Sequence, residues 1–340
     1  MKVMVTGGTG YIGRVLVPEL VKKGYNVLVL DRDFLTYDDV KKEYEGIGVK
    51  ILKDDIRYFD PTEMRGIDSV VDLAALSNDP SGDLDPIKTW DINYIGRVRV
   101  ARLAKKLNVN RYIVASSCSI YGFREDIANE TSEPNPLTAY AEANQAVERD
   151  NLAIAGNGFT PMALRFATAF GFSKRLRLDI AINAMVYYAV KTGKLRLMRD
   201  GEQYRPFIHV KDMASAIIVG LESESKVVSG HIFNAGSNEL NIKLKDVADK
   251  IKSSIKGTEI EWYGDPDKRS YRVDFKKIND SLKFKPKYNI EYGIDEMKKE
   301  FESPEFRLKD EMITLSVYKK LIEAKYILSK HGYLSPQIGL

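Results

Sequence analysis

The segment Thr6–Gly13 reads TGGTGYIG and sets the expectation for the whole fold. It follows an apolar run, Lys2–Thr6, that is rich in β-branched residues, and it opens a helical pattern over Tyr11–Lys23. Glycines between a strand and a helix allow a tight turn and a close approach of the backbone to a pyrophosphate, and the helix N-terminus presents N–H groups and a positive dipole. The segment therefore predicts a dinucleotide site whose turn contains Gly7, Gly10 and Gly13.

A carboxylate follows at the spacing expected for such a site. The next predicted strand, Asn26–Asp31, ends 18 residues after Gly13, close to the ~20 residues that separate this glycine motif from the acid that bonds the adenosine ribose. A carboxylate at Asp31 would repel a 2′-phosphate, which favours NAD over NADP. Arg32 lies beside it and leaves that choice open.

Strand and helix patterns alternate through the first half of the chain. Further buried strands are predicted at Val49–Lys53, Ser69–Leu73 and Arg111–Ala115, and further helices at Pro86–Lys106 and Ala139–Ala155. An alternation of this kind is typical of βαβ units. The expected fold class is therefore α/β, a Rossmann-type doubly wound parallel sheet with helices on both faces.

The alternation weakens after residue 170, which indicates a second part of the chain. Helical patterns recur at Asp179–Lys191, Lys211–Leu221, Lys243–Ile255 and Lys309–Ser329. We expect residues 1–170 to form the NAD-binding domain, with 207–235 returning to it. Residues 171–206 and 236–302 would form a smaller, mostly C-terminal α/β substrate domain, and 303–340 a helical extension without an assigned role.

Composition excludes several classes of protein. The chain has 340 residues, and 52 Lys and Arg against 48 Asp and Glu give a net charge of +4, too small an excess for a dedicated nucleic-acid binder. One cysteine and three histidines make a poor metal set, and no apolar stretch approaches the ~18 residues of a membrane span. We expect a cytoplasmic protein with no metal, nucleic-acid or membrane partner.

The basic excess is local, because residues 151–200 hold eight basic and two acidic side chains. An anionic ligand would explain such a cluster. Solvated surface charge is the alternative for any single member.

Five further motifs appear in one order along the chain. They are Asp54–Arg57 (DDIR), Leu73–Ala75 (LAA) with Asn93, Ser116–Gly122 (SSCSIYG), Tyr140, and Arg205–Asp212 (RPFIHVKD). Together with Thr6–Gly13 they resemble the extended short-chain dehydrogenase/reductase family, particularly its nucleotide-sugar epimerase and dehydratase branch. The resemblance implies bound NAD, a nucleotide-diphosphate sugar as substrate, and a homodimer that pairs the helices Pro86–Lys106 and Ala139–Ala155.

The resemblance also implies which residues contact the cofactor. Asp55 and Ile56 would contact adenine, and Ala74 and Ala75 would form a backbone wall beside the cofactor. Asn93 would distort a helix behind the active site. The full expected set is Gly7, Gly10, Tyr11, Ile12, Gly13, Asp31, Arg32, Asp55, Ile56, Leu73, Ala74, Ala75, Asn93, Ser116 and Tyr140.

Ser117 and Tyr140 match the catalytic hydroxyl and the catalytic tyrosine of the family. Hydride transfer at a sugar carbinol needs a base that removes the hydroxyl proton, and a free tyrosine with a pKa near ~10 is too weakly ionised at neutral pH. In the family a lysine four positions later lowers that pKa, whereas this chain has Asn144. Three interpretations remain open: an active enzyme with a differently supported tyrosine, a protein that binds without turnover, or a substitution that traps substrate. If the lysine was simply lost, Asn144→Lys should raise turnover.

Cys118 and Ser119 bear on the type of reaction. The dehydratases of the family carry an Asp-Glu pair at these positions, and neither a thiol nor a hydroxyl readily replaces a carboxylate base. Epimerisation is therefore favoured, with a dehydratase, another NAD-dependent sugar-modifying enzyme, or a non-catalytic NAD or nucleotide-sugar binding protein as alternatives. Cys118 is retained as an acid or base acting on the sugar, with a small buried packing residue as the alternative.

The resemblance further implies an arginine clamp for the diphosphate, since guanidinium groups match phosphate oxygens bidentately. Thr168 lies where relatives often place a diphosphate-binding asparagine, and Asn183 is a possible replacement. The expected substrate contacts are Ser77, Ser117, Thr168, Arg175, Arg177, Asn183, Arg205, Arg269 and Arg272.

Overall fold

The computed structural model describes residues 1–34, 37–265 and 270–330. The strands are β1 (Lys2–Thr6), β2 (Asn26–Asp31), β3 (Lys50–Lys53), β4 (Ser69–Asp72), β5 (Arg111–Ser117), β6 (Ile127–Ala128), β7 (Thr160–Phe166), β8 (Thr168–Phe170), β9 (Lys194–Met198), β10 (Tyr204–His209), β11 (His231–Ala235), β12 (Asn241–Lys243), β13 (Glu259–Tyr263) and β14 (Arg272–Val273). The helices are α1 (Gly13–Lys22), α2 (Tyr37–Gly46), α3 (Asp79–Gly82), α4 (Pro86–Trp90), α5 (Arg97–Lys106), α6 (Ala139–Ala153), α7 (Ala181–Thr192), α8 (Val210–Glu222), α9 (Ser225–Val228), α10 (Leu244–Ser254), α11 (Lys276–Leu282), α12 (Ile290–Glu302) and α13 (Thr314–Lys330).

The main sheet has seven strands in the order β11-β7-β5-β4-β1-β2-β3, and every neighbouring pair is parallel. The chain runs outward from β1 to β3 and then returns to β4 on the other side of β1. Ligands of such sheets bind at this reversal, beyond the carboxyl ends of the strands. The expected doubly wound sheet is confirmed, and it places the loops after β1, β2, β4 and β5 at one edge.

Helices cover both faces of the sheet, which explains why its strands are almost continuously apolar. One face packs against α1 and α8, through side chains such as Leu16, Leu20 and Ile217. The other face packs against α5 and α6, through side chains such as Val100 and Val147. A third cluster lies beyond the sheet and is built from α7, α10 and α12, with Ile182, Val186, Val247, Ile251, Ile294 and Phe301 among its members.

The domain division stays a proposal, with one refinement drawn from packing. Strand β11 joins the main sheet and α8 packs on it, in keeping with the proposed return of 207–235. Tyr271, Val273, Phe275 and Ile278 belong to the same sheet-face cluster. We therefore propose to assign residues 270–284 to the sheet part as well.

The predicted helix Pro86–Lys106 is interrupted by a π-helical turn at Asp91–Gly96, between α4 and α5. Asn93 lies in that turn, where its Oδ1 accepts the N–H of Leu76 at 2.8 Å and its Nδ2 donates to the Leu76 carbonyl at 3.0 Å. The buried amide thus satisfies the backbone N–H and carbonyl of Leu76, in the loop that follows β4. The distortion falls at Asn93, where the family resemblance implies one.

Neither a membrane-spanning helix nor a metal-ligand cluster is found among the described residues. No helix among them is both long and apolar enough to cross a membrane. Within the same residues, no cluster of three or more His, Cys, Asp or Glu side chains is arranged to hold a metal ion.

Candidate active site

A cavity of about 890 Å³ opens where β1, β2, β4 and β5 end. The glycine loop and the loops after β2 and β4 line one part of it, and α7, β9 and β10 line another. Residues from α13 also reach it. The cavity therefore lies at the reversal of the strand order, between the sheet and the α7–α10–α12 cluster.

The glycine loop approaches the cavity wall too closely for side chains. Gly7 has a φ of +68°, and a Cβ there would lie 2.8 Å from the backbone nitrogen of Ala74. A Cβ on Gly13 would lie 2.3 Å from the carbonyl oxygen of Gly8. All the predicted loop contacts, Gly7, Gly10, Tyr11, Ile12 and Gly13, line the cavity. A backbone cradle at the start of α1 fits a pyrophosphate.

Asp31 and Arg32 have different partners at the end of β2. The Asp31 carboxylate accepts the backbone N–H groups of Thr9 at 3.0 Å and Asp33 at 2.9 Å, and burial raises its pKa. Arg32 pairs with Asp55 at 3.1 Å and lies over the Phe34 ring. Both line the cavity, but only Asp31 is held at the loop that would carry the pyrophosphate.

The remaining predicted cofactor contacts divide into two groups. Asp55, Ile56, Leu73, Ala74, Ala75 and Ser116 line the cavity. Ser116 is 4% exposed, and its hydroxyl has no hydrogen-bond partner among the described residues. Asn93 is fully buried and lies outside the lining, so its part is to hold Leu76 in place. The unpartnered buried hydroxyl of Ser116 fits a polar group of a ligand.

Ser117 and Tyr140 meet at the cavity from two different elements. Ser117 ends β5, and Tyr140 lies in the first turn of α6, which Thr138 caps by accepting the N–H of Ala141 at 3.2 Å. Burial and the charge of Asp79 raise the pKa of Tyr140, whereas the charge of Arg97 and hydrogen bonding with Ser117 and Asn144 lower it. The pKa stays above its usual value, so these residues alone do not ionise the phenol at neutral pH.

Asn144 lies behind Tyr140 rather than in the cavity. It is 1% exposed, and its Nδ2 donates to the Tyr140 carbonyl at 3.0 Å. Its Oδ1 accepts a hydrogen bond from Nη1 of Arg97, also at 3.0 Å. The side chain is outside the cavity lining, so it lacks direct access to a ligand bound there.

Cys118 is a buried core residue, in agreement with the packing alternative and contrary to the interpretation that it acts on the sugar. It is fully buried, and its Sγ donates to the Arg165 carbonyl at 3.2 Å. Burial raises the pKa of the thiol well above its usual range. The turn after β5 directs Ser117 and Ser119 to the cavity and Cys118 away from it, so we leave Cys118 out of the catalytic set.

Several predicted diphosphate ligands are engaged within the protein. Arg177 pairs with Asp179 through two bonds, at 2.9 and 2.8 Å, and donates to Ser77 Oγ at 2.7 Å. Arg175 donates to the Leu176 carbonyl at 2.9 Å and to Thr314 Oγ1 at 3.0 Å. Both arginines line the cavity, as do Ser77 and Thr168, but their internal bonds reduce what they can offer to a phosphate.

The other predicted substrate contacts differ in position. Arg205 lines the cavity and lies over the Tyr271 ring. Asn183 is fully buried and bonds Gly171 and Tyr11 instead. Arg272 donates to the Glu125 carbonyl at 2.9 Å, away from the lining. Contrary to the expectation of direct contact, Asn183 and Arg272 lie outside the cavity lining, because other parts of the protein hold them elsewhere. Arg269 lies outside the described residues.

Gln203 is a cavity residue that the sequence did not reveal. It is 4% exposed, and neither polar atom of its side chain has a partner among the described residues. An amide offers both a donor and an acceptor, so it suits a ligand edge that carries both. Gln203 lies two residues before Arg205, where the RPFIHVKD motif begins. Closeness to this motif is the feature of the sequence that indicates a cavity position for Gln203.

The C-terminal extension also contributes to the cavity. The N–H of Leu178 donates to the Met312 carbonyl at 2.7 Å, which docks the segment before α13 on the body. Helix α13 then lines the cavity with Thr314, Tyr318, Leu321, Ile322 and Lys325. Its helical pattern was visible in the sequence, but its docking site was not.

Comparison of the chain with known proteins gives its family. Residues 3–236 match the model of the NAD dependent epimerase/dehydratase family. The match spans well over half of the chain, and the chain belongs to this family. The resemblance to the nucleotide-sugar branch of the extended short-chain dehydrogenases is thereby confirmed.

Three individual proteins show what the chain is similar to. A UDP-glucose 4-epimerase from Lactobacillus helveticus is 28% identical over 85% of this chain and 93% of its own. UDP-glucuronic acid decarboxylase 1 from Arabidopsis thaliana is 24% identical over 88% of this chain and 70% of its own. The solved structure of MoeE5 in complex with UDP-glucuronic acid and NAD is 25% identical, with a TM-score of 0.78 over 88% of this chain and 98% of that one.

Proposed function

We propose that the protein is an NAD-dependent epimerase that acts on a nucleotide-diphosphate sugar by transient oxidation and re-reduction at a sugar carbinol. The observation that carries this proposal is that Ser117 and Tyr140 line the same cavity as the glycine loop. The relatives named for UDP-sugars support the substrate class. The carboxylate at Asp31, held at the loop while Arg32 pairs with Asp55, supports NAD over NADP.

The chemistry divides between the cofactor and this chain's own residues. Reversible hydride transfer to and from the sugar carbon is the chemistry that NAD would supply when bound. Tyr140 accepts the proton of the reacting hydroxyl and later gives it back, acting as general base and then as general acid. Ser117 holds the same oxygen by hydrogen bonding. The cavity must let the oxidised sugar present its other face before the hydride returns.

Epimerisation is preferred to dehydration because elimination of water needs an acid and base beside the tyrosine. The side chain that follows Ser117 is the buried Cys118 thiol, and Ser119 presents a hydroxyl. A non-catalytic NAD or nucleotide-sugar binding protein is the second candidate. The observation in its favour is the raised pKa of Tyr140, which follows from burial and from the charge of Asp79.

The proposal is tested by identifying the cofactor and the product. Ligand released by heat from the purified protein should have the mass of NAD. The protein should then convert one member of a nucleotide-sugar panel to an epimer without net NADH. NADP in the released fraction would contradict the cofactor proposal, a keto sugar would indicate a dehydratase, and tight binding without product would indicate the binding protein.

We also propose a homodimer that pairs the α4–α5 region with α6. Ile87 and Ile95 are 85% and 56% exposed in this region, an arrangement that suits a buried interface. Light scattering at micromolar concentration should give a dimer, and Ile95→Glu should dissociate it by placing a charge in the interface. Ile127→Glu, at a 53% exposed position on β6, should leave the dimer intact. A monomeric wild-type protein would contradict the proposal.

A further inference from the structure

A buried guanidinium is linked through Asn144 to the backbone of Tyr140. Arg97, on α5, is 1% exposed. Its Nη1 donates to Oδ1 of Asn144 at 3.0 Å, and Asn144 donates in turn to the Tyr140 carbonyl. The asparagine found four positions after the tyrosine is therefore the contact between Tyr140 and a cation that comes from a different helix.

The other donors of Arg97 fix the guanidinium in this orientation. Nε donates to the Asp72 carboxylate at 3.2 Å, and Nη2 donates to the carbonyls of Asp72 at 3.2 Å and Ala115 at 2.6 Å. A planar group with several fixed bonds is pre-organised. Nη1 is left for Asn144, so the guanidinium is held against α6, the helix that also carries Tyr140.

Asp72 is the buried carboxylate paired with Arg97. Its carboxylate also accepts the hydroxyl of Tyr112 at 2.5 Å and that of Thr6 at 2.6 Å, so Arg97 is one of three donors to this carboxylate. With this pairing present, the charge of Arg97 still acts to lower the pKa of the Tyr140 phenol.

Two other charged groups face Tyr140 from neighbouring elements. Asp79, on α3, accepts a hydrogen bond from Thr138 at 2.8 Å and opposes ionisation of the phenol. Arg177 interacts with Tyr140 electrostatically, but it is paired through two bonds with Asp179. Arg97 and Arg177 are thus both cations that favour the phenolate, and each is paired with a carboxylate. Arg97 is the one that bonds Asn144.

We propose that Arg97 and Asn144 together replace the lysine that the family places four residues after the catalytic tyrosine. Arg97 supplies the positive charge, and Asn144 links that charge to Tyr140 while holding the first turn of α6. This inference rests on the proposed function, since it assigns Arg97 a positioning role in proton transfer by Tyr140. It also reverses the expectation for Asn144→Lys, because a lysine there would lie against Arg97, and two buried like charges repel.

The proposal predicts a reciprocal pattern in a double-mutant cycle on the NAD-bound protein. Arg97→Gln should lower turnover at neutral pH about tenfold and move the acid limb of the pH–turnover profile about one unit upward, since loss of a nearby cation raises the pKa of a phenol. Asn144→Lys alone should also lower turnover. The double variant Arg97→Gln/Asn144→Lys should recover most of the activity.

Controls separate charge from folding. Arg97→Gln leaves Asp72 buried without its cation, so Asp72→Asn/Arg97→Gln tests the same loss of charge near Tyr140 without that defect. Arg99→Gln is the matched control, since Arg99 lies on the same helix but donates to the carbonyls of Ile56 and Phe59. It should leave the acid limb unmoved. An unmoved acid limb in both Arg97 variants, or a gain in turnover from Asn144→Lys alone, would overturn the proposal.

A second measurement distinguishes this inference from the function on which it rests. The phenolate absorbance of each variant, minus that of its Tyr140→Phe counterpart, reports the titration of Tyr140 without any substrate. Removal of Arg97 should shift that titration upward. If the shift occurs but no nucleotide sugar is converted, the inference stands and the proposed function fails; if sugar is converted but the titration is unchanged, the inference fails.

Discussion

Tyr140→Phe is expected to lower turnover of the nucleotide sugar by about 10²–10⁴-fold, the contribution typical of a general acid–base group. The ring remains, so packing against α3 should be kept, while the group that exchanges a proton with the sugar is lost. Affinity for NAD, measured by fluorescence titration, should change little. Steady-state kinetics on the substrate found by the panel gives the turnover.

The matched control is Tyr25→Phe. Tyr25 also carries a phenol in a hydrogen bond, to Glu222 at 3.1 Å, but on the exposed surface away from the cavity. It should retain wild-type turnover. If Tyr140→Phe also kept turnover within a few-fold of wild type, Tyr140 would not be the base.

Arg165→Met is expected to lower the free energy of unfolding by about 3–5 kcal/mol, because it leaves a buried carboxylate without its partner. Arg165 and Glu148 have side-chain exposures of 4% and 3%, and their closest contact is 2.7 Å. Nη1 of Arg165 also donates to the Tyr121 hydroxyl at 2.8 Å. Urea unfolding followed by circular dichroism measures the change.

Two further variants test the physical reason for that loss. Arg165→Met/Glu148→Met removes both charges and should cost less than the single change, since no unpaired ion stays buried. Lys226→Met removes a cation from an exposed pair, with side-chain exposures of 81% and 70%, and should cost less than about 1 kcal/mol. Equal losses for Arg165→Met and Lys226→Met would contradict the structural role of Arg165.

The sheet and the cofactor loop could be predicted because their signals are local. A strand, a TGGTGYIG turn and a helix are contiguous, and the structure confirms β1 at Lys2–Thr6 and β2 at Asn26–Asp31. Helix α12 was missed although Ile290, Ile294, Met297 and Phe301 recur at helical spacing and are buried. The helical spacing of these apolar residues is present in the sequence, so α12 was predictable from it.

The arginines could not be assigned from sequence, because their partners are distant along the chain. Arg175 bonds Thr314, which is 139 positions away, and Arg97 bonds Asn144, which is 47 positions away. A basic cluster therefore says little about which guanidinium groups remain available for a phosphate. The same separation explains why the sequence indicates only that the lysine charge is missing at Asn144. The structure places the Arg97 guanidinium, from α5, beside Asn144.

Proton NMR of the reaction in deuterium oxide tests the proposed function most directly. A hydride that leaves a sugar carbon and returns to it never exchanges with solvent, whereas elimination of water proceeds through a carbon-bound proton that does. The NAD-bound protein is therefore predicted to form the epimer with its proton retained at the inverted carbon and no deuterium elsewhere on the sugar. Deuterium at a neighbouring carbon, or no product from any nucleotide sugar that binds, would contradict the account.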